Sequence, residues 1–88
     1  MLDLIWQSQF KKDFKKIKKS RLKIEKLAYI ITELQHERPL PPKNKNHKLK
    51  GNYIGCWECH IEPDWLLIYQ LSESELILIR TGSHSELF

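Results

Sequence analysis

Hydrophobic positions in the first part of the chain predict one short strand and two helices. Apolar and polar residues alternate over residues 2–6, which predicts a strand. Apolar residues at helical spacing, separated by lysines, predict a first helix over residues 10–17. A second apolar stripe predicts a helix over residues 22–35, with Ser20 as its N-cap. This part of the chain therefore reads as strand, helix, helix.

The remainder of the chain predicts a loop followed by three strands. Prolines end the helical pattern, and residues 38–52 form a stretch rich in Lys and Asn that is typical of a loop. Apolar runs predict strands over 53–59, 66–71 and 76–81, with a hairpin turn at 72–75. The run over 66–71 is apolar on both faces except at Gln70, so we expect it at the centre of the sheet.

These elements predict one α+β domain spanning residues 1–88. Their order is β-α-α-β-β-β, with two helices packed on a mainly antiparallel sheet. A chain of 88 residues, of which 41% are hydrophobic, can bury only a modest core. A large buried cofactor would take up most of that interior.

Charge favours an anionic partner such as nucleic acid. The formal net charge is +4 and the isoelectric point is about 9.1. Eight basic residues lie between Lys11 and Lys23, and four more lysines surround His47. A solvated surface is the simpler interpretation of each cluster, but two clusters in one small chain favour nucleic acid.

The chain shows no signal-peptide pattern and no apolar run that approaches the roughly 20 residues of a membrane span. We therefore expect a cytoplasmic protein without a membrane partner, whose two cysteines are reduced thiols.

The predicted strands would bring His60, Asp64 and His84 together. His60 follows the 53–59 strand, Asp64 precedes the 66–71 strand, and His84 lies just beyond the 76–81 strand. In antiparallel neighbours the end of one strand lies beside the start of the next. All three residues are thus expected at one edge of the sheet.

Two imidazoles and a carboxylate at one edge fit RNA cleavage without a metal. That reaction needs a base for the 2′-OH proton, an acid for the 5′-oxygen and a cation for the phosphorane, and imidazole suits both proton transfers. Asp64 could orient an imidazole or act as the base. Arg80 could hold phosphate, or could pair with Glu58 or Glu62. An aromatic side chain could stack on a base, and the candidates, which could equally pack in the fold, are Trp65 and Phe88.

The sequence Cys56-Trp57-Glu58-Cys59-His60 matches the attachment pattern of c-type haem. A zinc site could also combine these cysteines with His60 and His84. Both interpretations are disfavoured, because a strand places Cys56 and Cys59 on opposite faces. We therefore expect neither a metal nor a cofactor.

Three segments carry a distinctive combination of residues: 47–51, 58–69 and 80–88. Together they resemble the YafQ family, toxins of bacterial toxin–antitoxin pairs within the RelE superfamily. The resemblance implies a microbial-ribonuclease-like fold and metal-free cleavage of mRNA in the ribosomal A site, where basic surfaces contact ribosomal RNA. It also implies an antitoxin partner with a ribbon-helix-helix DNA-binding portion, so that operator DNA would be reached only through the antitoxin.

The family's active-site residues correspond here to His47, His60, Asp64, Trp65, His84 and Phe88. We expect His60, Asp64 and His84 to perform acid–base chemistry, and His47 to bind or activate near the scissile phosphate. Arg80, with Lys48 or Lys50, would neutralise phosphate.

One departure from the family pattern is Trp57, where relatives often carry Arg. It is expected to remove a cation beside the site. The alternative hypothesis is therefore a non-catalytic RNA- or protein-binding module, such as an inactive relative of the toxins.

Overall fold

A five-stranded mixed sheet lies at the centre of the computed structural model, which describes all 88 residues. The strands, in chain order, are β1 (Asp3–Trp6), β2 (His47–Lys48), β3 (Trp57–Glu62), β4 (Trp65–Leu71) and β5 (Glu75–Gly82). Their spatial order is β1-β5-β4-β3-β2. β1 runs parallel to β5, and the other three pairings are antiparallel. β4 is the central strand, which confirms the prediction from its apolar character on both faces.

Two helices cover one face of the sheet, called here the helix face. They are α1 (Ser8–Lys18) and α2 (Ile24–Gln35). Their apolar stripes join alternate residues of the strands in a core of thirteen buried residues, because each helix is apolar along one side only. The prediction of an α+β fold is confirmed. No helix has the length and apolar character that crossing a bilayer requires.

The opposite face, called here the site face, carries a smaller apolar cluster. It comprises Leu66, Ile68 and Leu87, with Tyr53 packed beside them. Two short elements contribute to it: a 3₁₀ turn at Gly51–Tyr53 and α3 (His84–Leu87) at the end of the chain. The site face is therefore only partly covered, unlike the helix face.

The structure corrects several predicted boundaries. The strand expected over 53–59 is β3, Trp57–Glu62. Residues before it form turns instead, since Gly51 and Gly55 have positive φ and the Cys56 amide donates to the Tyr53 carbonyl. β3 therefore continues past His60, which lies inside the ladder opposite Leu66 rather than at a strand end.

Helix α2 begins later than predicted. Its N-cap is Lys23, which makes no capping hydrogen bond with its side chain. The Ser20 hydroxyl instead donates to the Ile17 carbonyl and accepts from the Leu22 amide, so it closes the end of α1. The predicted loop over 38–52 contains β2 and a 3₁₀ turn at Pro42–Asn44, neither of which was expected.

Candidate active site

Strand register places the candidate residues on the site face. Residues directly opposite each other on neighbouring strands project to the same side of a sheet. One such row crosses β2, β3, β4 and β5, and its members are His47, Glu58, Ile68 and Arg80. The next row contains His60, Leu66 and Gly82. Residues that are distant in sequence therefore lie on one face of the sheet, beside the small apolar cluster of the site face.

Glu58 lies between two of the candidate histidines. Its side-chain Oε1 is 3.5 Å from Nε2 of His47 and 3.6 Å from Nε2 of His60. The residue is only 5% exposed, and its Oε2 atom has no hydrogen-bond partner. Buried carboxylates are normally paired. Glu58 was not among the residues selected from the sequence, although its position two residues before His60 in a strand places both on one face.

Backbone carbonyls orient the two imidazoles toward Glu58. Nδ1 of His47 lies 2.6 Å from the Lys45 carbonyl oxygen, and Nδ1 of His60 lies 3.3 Å from that of Pro63. A carbonyl can only accept, so Nδ1 carries the proton in each ring and donates it. Nε2 of each ring then faces the carboxylate. Imidazoles and carboxylates are the groups that proteins use most often as general acids and bases, so the cluster has the composition that proton transfer requires.

The loop that carries His47 is anchored to the sheet at two points. The Asn44 side-chain amide donates to the His60 carbonyl over 2.6 Å. The Tyr69 hydroxyl donates to the Asn46 side chain, also over 2.6 Å. Burial raises the pKa of the Tyr69 hydroxyl, which therefore remains a donor at neutral pH. These bonds place His47 beside β3, which the sequence could not predict.

Asp64 fixes the start of α3. Its Oδ1 accepts a hydrogen bond of 3.1 Å from the backbone amide of His84. Ser83 and Glu86 complete a capping box, in which the Ser83 amide donates to the Glu86 carboxylate over 2.8 Å. These hydrogen bonds from Ser83 lower the pKa of Glu86. In this structure Asp64 positions the helix that carries His84 and forms no ion pair with its imidazole.

The His84 ring is held by an aromatic neighbour. It stacks on the Phe88 ring, with centroids 5.0 Å apart and planes inclined by 29°. Tyr53 contacts the same phenyl ring edge-on at 5.4 Å. Phe88 is still 54% exposed, so it does not seal the sheet and has surface free for a nucleobase.

Arg80 pairs with a residue that the sequence did not indicate. Its Nε donates to Asp13 of α1 over 2.7 Å and its Nη2 over 3.2 Å, in place of the expected Glu58 or Glu62. The buried Asp13 also accepts from the Thr81 amide at 3.1 Å. These hydrogen bonds raise the pKa of Arg80, which stays charged. Asp13 thus holds Arg80 at the end of the site row.

The structure supports packing as the role of Trp65. This residue is 1% exposed, lies in the helix-face core and donates from Nε1 to the Thr81 hydroxyl over 3.0 Å. Its ring is therefore inaccessible to a base, which contradicts the expectation that it stacks on RNA. Of the two aromatic candidates, only Phe88 presents a ring to solvent.

Lys48 and Trp57 lie opposite each other in β2 and β3, on the helix face. The Lys48 ammonium is 5.4 Å from the centre of the Trp57 ring. Strand alternation therefore directs Lys48 away from His47, and a phosphate contact by Lys48 is not supported. For the same reason, the departure at Trp57 does not remove a cation from the site face. Lys50 is exposed just before the turn at Gly51–Tyr53.

The two cysteines occupy opposite faces of the sheet. Cys59 is buried in the helix-face core, and Cys56 packs on the site-face cluster. Burial raises the pKa of Cys59 to about 12 and also raises the pKa of Cys56. No group of three or more His, Cys, Asp or Glu side chains is arranged to hold a metal ion.

The fold and this site define a small basic α+β protein whose sheet face combines histidines, a buried carboxylate and an exposed aromatic ring. Residues 2–88 match the family described as "Bacterial toxin of type II toxin-antitoxin system, YafQ". The chain belongs to this family of YafQ toxins.

Individual relatives are similar over nearly their full length. The mRNA interferase toxin YafQ of Escherichia coli K12 is 40% identical over 98% of this chain and 95% of its own length. YafQ in the crystal structure of the E. coli DinJ-YafQ toxin-antitoxin complex superposes with a TM-score of 0.91 at 40% identity, over 99% of this chain and 97% of that one. A copper-bound mutant toxin from Helicobacter pylori superposes with a TM-score of 0.94 at 43% identity, and each chain is fully covered.

Proposed function

We propose that this chain is a ribosome-dependent mRNA endoribonuclease that inhibits translation as the toxin of a toxin–antitoxin pair, with a RelE-like, microbial-ribonuclease-like topology. The observation that carries the proposal is the cluster of Glu58, His47 and His60, which faces the same side of the sheet as His84 and Phe88. Structural packing does not require a buried carboxylate with an unpartnered oxygen, whereas proton transfer does use one. The name mRNA interferase toxin, carried by the E. coli relative, supports this assignment.

In the proposed reaction, the 2′-oxygen attacks the adjacent phosphorus and the bond from phosphorus to the 5′-oxygen breaks. A base removes the 2′-OH proton and an acid protonates the leaving 5′-oxygen, which yields a 2′,3′-cyclic phosphate and a 5′-hydroxyl. The cluster around Glu58 supplies one of these transfers and His84 supplies the other. In this proposal the two transfers come from different elements of the fold, β3 with its neighbouring loop and α3.

The remaining residues bind and orient the substrate in this proposal. Arg80 neutralises charge on the phosphorane, and the exposed Lys50 supplies a second cation. Phe88 stacks on a base beside the scissile phosphate. Asp64 acts through α3, because it fixes the backbone from which His84 and Phe88 project. No metal or cofactor takes part in this scheme.

The proposed partners follow from charge and from the relatives. The exposed lysines of α1 and the segment after it would contact ribosomal RNA when the protein enters the A site of a cytoplasmic ribosome. The E. coli relative was crystallised with DinJ, its antitoxin. We accordingly propose an antitoxin partner with a ribbon-helix-helix portion that covers the toxin and binds operator DNA.

Induced expression in a bacterial host that lacks the antitoxin tests this function. Wild-type protein should arrest growth, and replacement of both His60 and His84 by Ala should abolish the arrest without loss of the folded state in circular dichroism. The matched control is His36→Ala, which changes an exposed histidine at the end of α2 and should remain toxic. A double variant that is folded and still toxic would contradict the assignment of chemistry to this face.

A further inference from the structure

We propose that a groove around the edge of β3, from His60 to Tyr29 of α2, binds the single-stranded RNA that continues from the scissile phosphate. This inference rests on the proposed ribonuclease function and extends it to a substrate-binding subsite. The groove consists of two adjoining cavities of about 280 and 290 Å³. Both are lined by Lys43, Asn44 and Ile61, so they lie side by side.

The groove begins at the candidate active site. His60 lines its first cavity together with Lys45 and Pro63, whose carbonyl orients the His60 ring. The segment that forms one wall contacts both histidines of the Glu58 cluster. Asn44 donates to the His60 carbonyl, and the Lys45 carbonyl accepts from His47, each over 2.6 Å. An RNA strand leaving the site at β3 therefore meets this wall first.

Charge along the groove suits a phosphate backbone. Lys43 and Lys45 are exposed, and neither takes part in any of the ion pairs of the structure. Lys45 adopts a left-handed backbone conformation with φ of 45°, which residues other than glycine adopt only at a cost in free energy. Glu62 on the groove is neutralised by Lys26 at 2.6 Å, which leaves Glu25 as the acidic residue opposing the two free lysines.

The far end of the groove presents an aromatic ring. Tyr29 is 59% exposed on α2, and its hydroxyl contacts Glu33 at 3.4 Å along the helix. This contact holds the hydroxyl while the ring remains open to solvent at the second cavity. A cationic groove that ends in an exposed aromatic ring is the usual arrangement for binding a single strand, with phosphates on the lysines and a base on the ring.

Cleavage kinetics of ribosome-bound mRNA test the groove with conservative controls. Tyr29→Ala, and separately Lys43→Gln, should raise the toxin concentration for half-maximal cleavage about tenfold and leave the maximal rate unchanged. Tyr29→Phe keeps the ring and Lys43→Arg keeps the charge, so both should behave as wild type. Unchanged half-maximal concentrations in the Ala and Gln variants would overturn the groove. Failure of the wild type to cleave would overturn the proposed function itself.

Photocrosslinking then identifies which RNA occupies the groove. A benzoylphenylalanine replacing Tyr29 should crosslink to an mRNA with a 2′-deoxy nucleotide at the cleavage position, which cannot be cut. The same group at Leu71, at the end of β4 away from His60, serves as the control and should not crosslink to mRNA. Crosslinks from position 29 to ribosomal RNA alone would show that the groove docks on the ribosome, and would overturn its assignment to substrate.

Discussion

Replacing Glu58 with Gln separates two expected effects of this residue, which are a loss of folding stability and a contribution to catalysis. The substitution preserves size and removes the charge. In the structure Oε1 lies beyond ordinary hydrogen-bond distance from both imidazoles, at 3.5 and 3.6 Å, and Oε2 has no partner. A carboxylate buried in this way opposes folding, because its Oε2 atom has lost water without gaining a hydrogen bond. A neutral amide should therefore stabilise the protein.

The expected sizes of the two effects follow from that geometry. An unsatisfied buried polar atom costs roughly 1–3 kcal/mol, and Gln retains part of this cost because its amide also lacks partners. We expect a net gain of about 1 kcal/mol, which in a domain of this size raises Tm by roughly 4–8 °C. The same change removes the carboxylate that faces His47 and His60. The maximal cleavage rate should fall roughly 10²-fold or more.

Thermal unfolding followed by circular dichroism and single-turnover mRNA cleavage on ribosomes measure the two effects. Glu73→Gln is the matched control, since it makes the same charge change at an exposed turn between β4 and β5 and should alter neither quantity. A Glu58→Gln variant with lower Tm and undiminished cleavage would refute the reasoning. Glu58 would then be a structural residue whose charge is needed for folding.

Two further predictions concern residues that support the site. Asp13→Ala leaves the Thr81 amide and the Arg80 guanidinium without their carboxylate, so the free energy of unfolding should fall by about 2–4 kcal/mol in urea titrations. A loss below about 1 kcal/mol would contradict a buried pair. Glu86 has a lowered pKa in the folded state, so its capping contribution is present above the ordinary glutamate pKa and is lost as pH falls through the lowered value. The Glu86 side chain is half exposed, so the stability difference between wild type and Glu86→Gln should be below about 1 kcal/mol at pH 7. This difference, measured by urea titration, should vanish in acid. A difference that does not depend on pH would contradict this account.

The periodicity of apolar residues predicted the elements that are long enough for buried positions to recur along them. The stripe that ends at Gln35 matches the end of α2, and the run over 66–71 matches the central strand β4. Strand parity also placed the two cysteines on opposite faces. These signals are local, so they do not depend on where distant segments pack.

Short elements and distant pairs could not be predicted in the same way. β2 has two residues and α3 has four, which is too short for a periodic pattern. The position of His47 depends on loop anchors at Asn44 and Asn46, and the partner of Arg80 is 67 residues away in sequence. Such contacts arise from tertiary packing, and the sequence alone contains several other acidic residues that could pair with Arg80.

The most direct test of the central claim is to map mRNA 5′ ends in a bacterial cell-free translation reaction, with and without ribosomes. Wild-type protein is compared with His84→Ala, and His36→Ala serves as a control for loss of an imidazole. We expect new ends at discrete codon positions for wild type and His36→Ala, only when ribosomes are present, and none for His84→Ala. If no ends appear while wild type and His84→Ala bind RNA equally well, the protein is a binding module and not a ribonuclease.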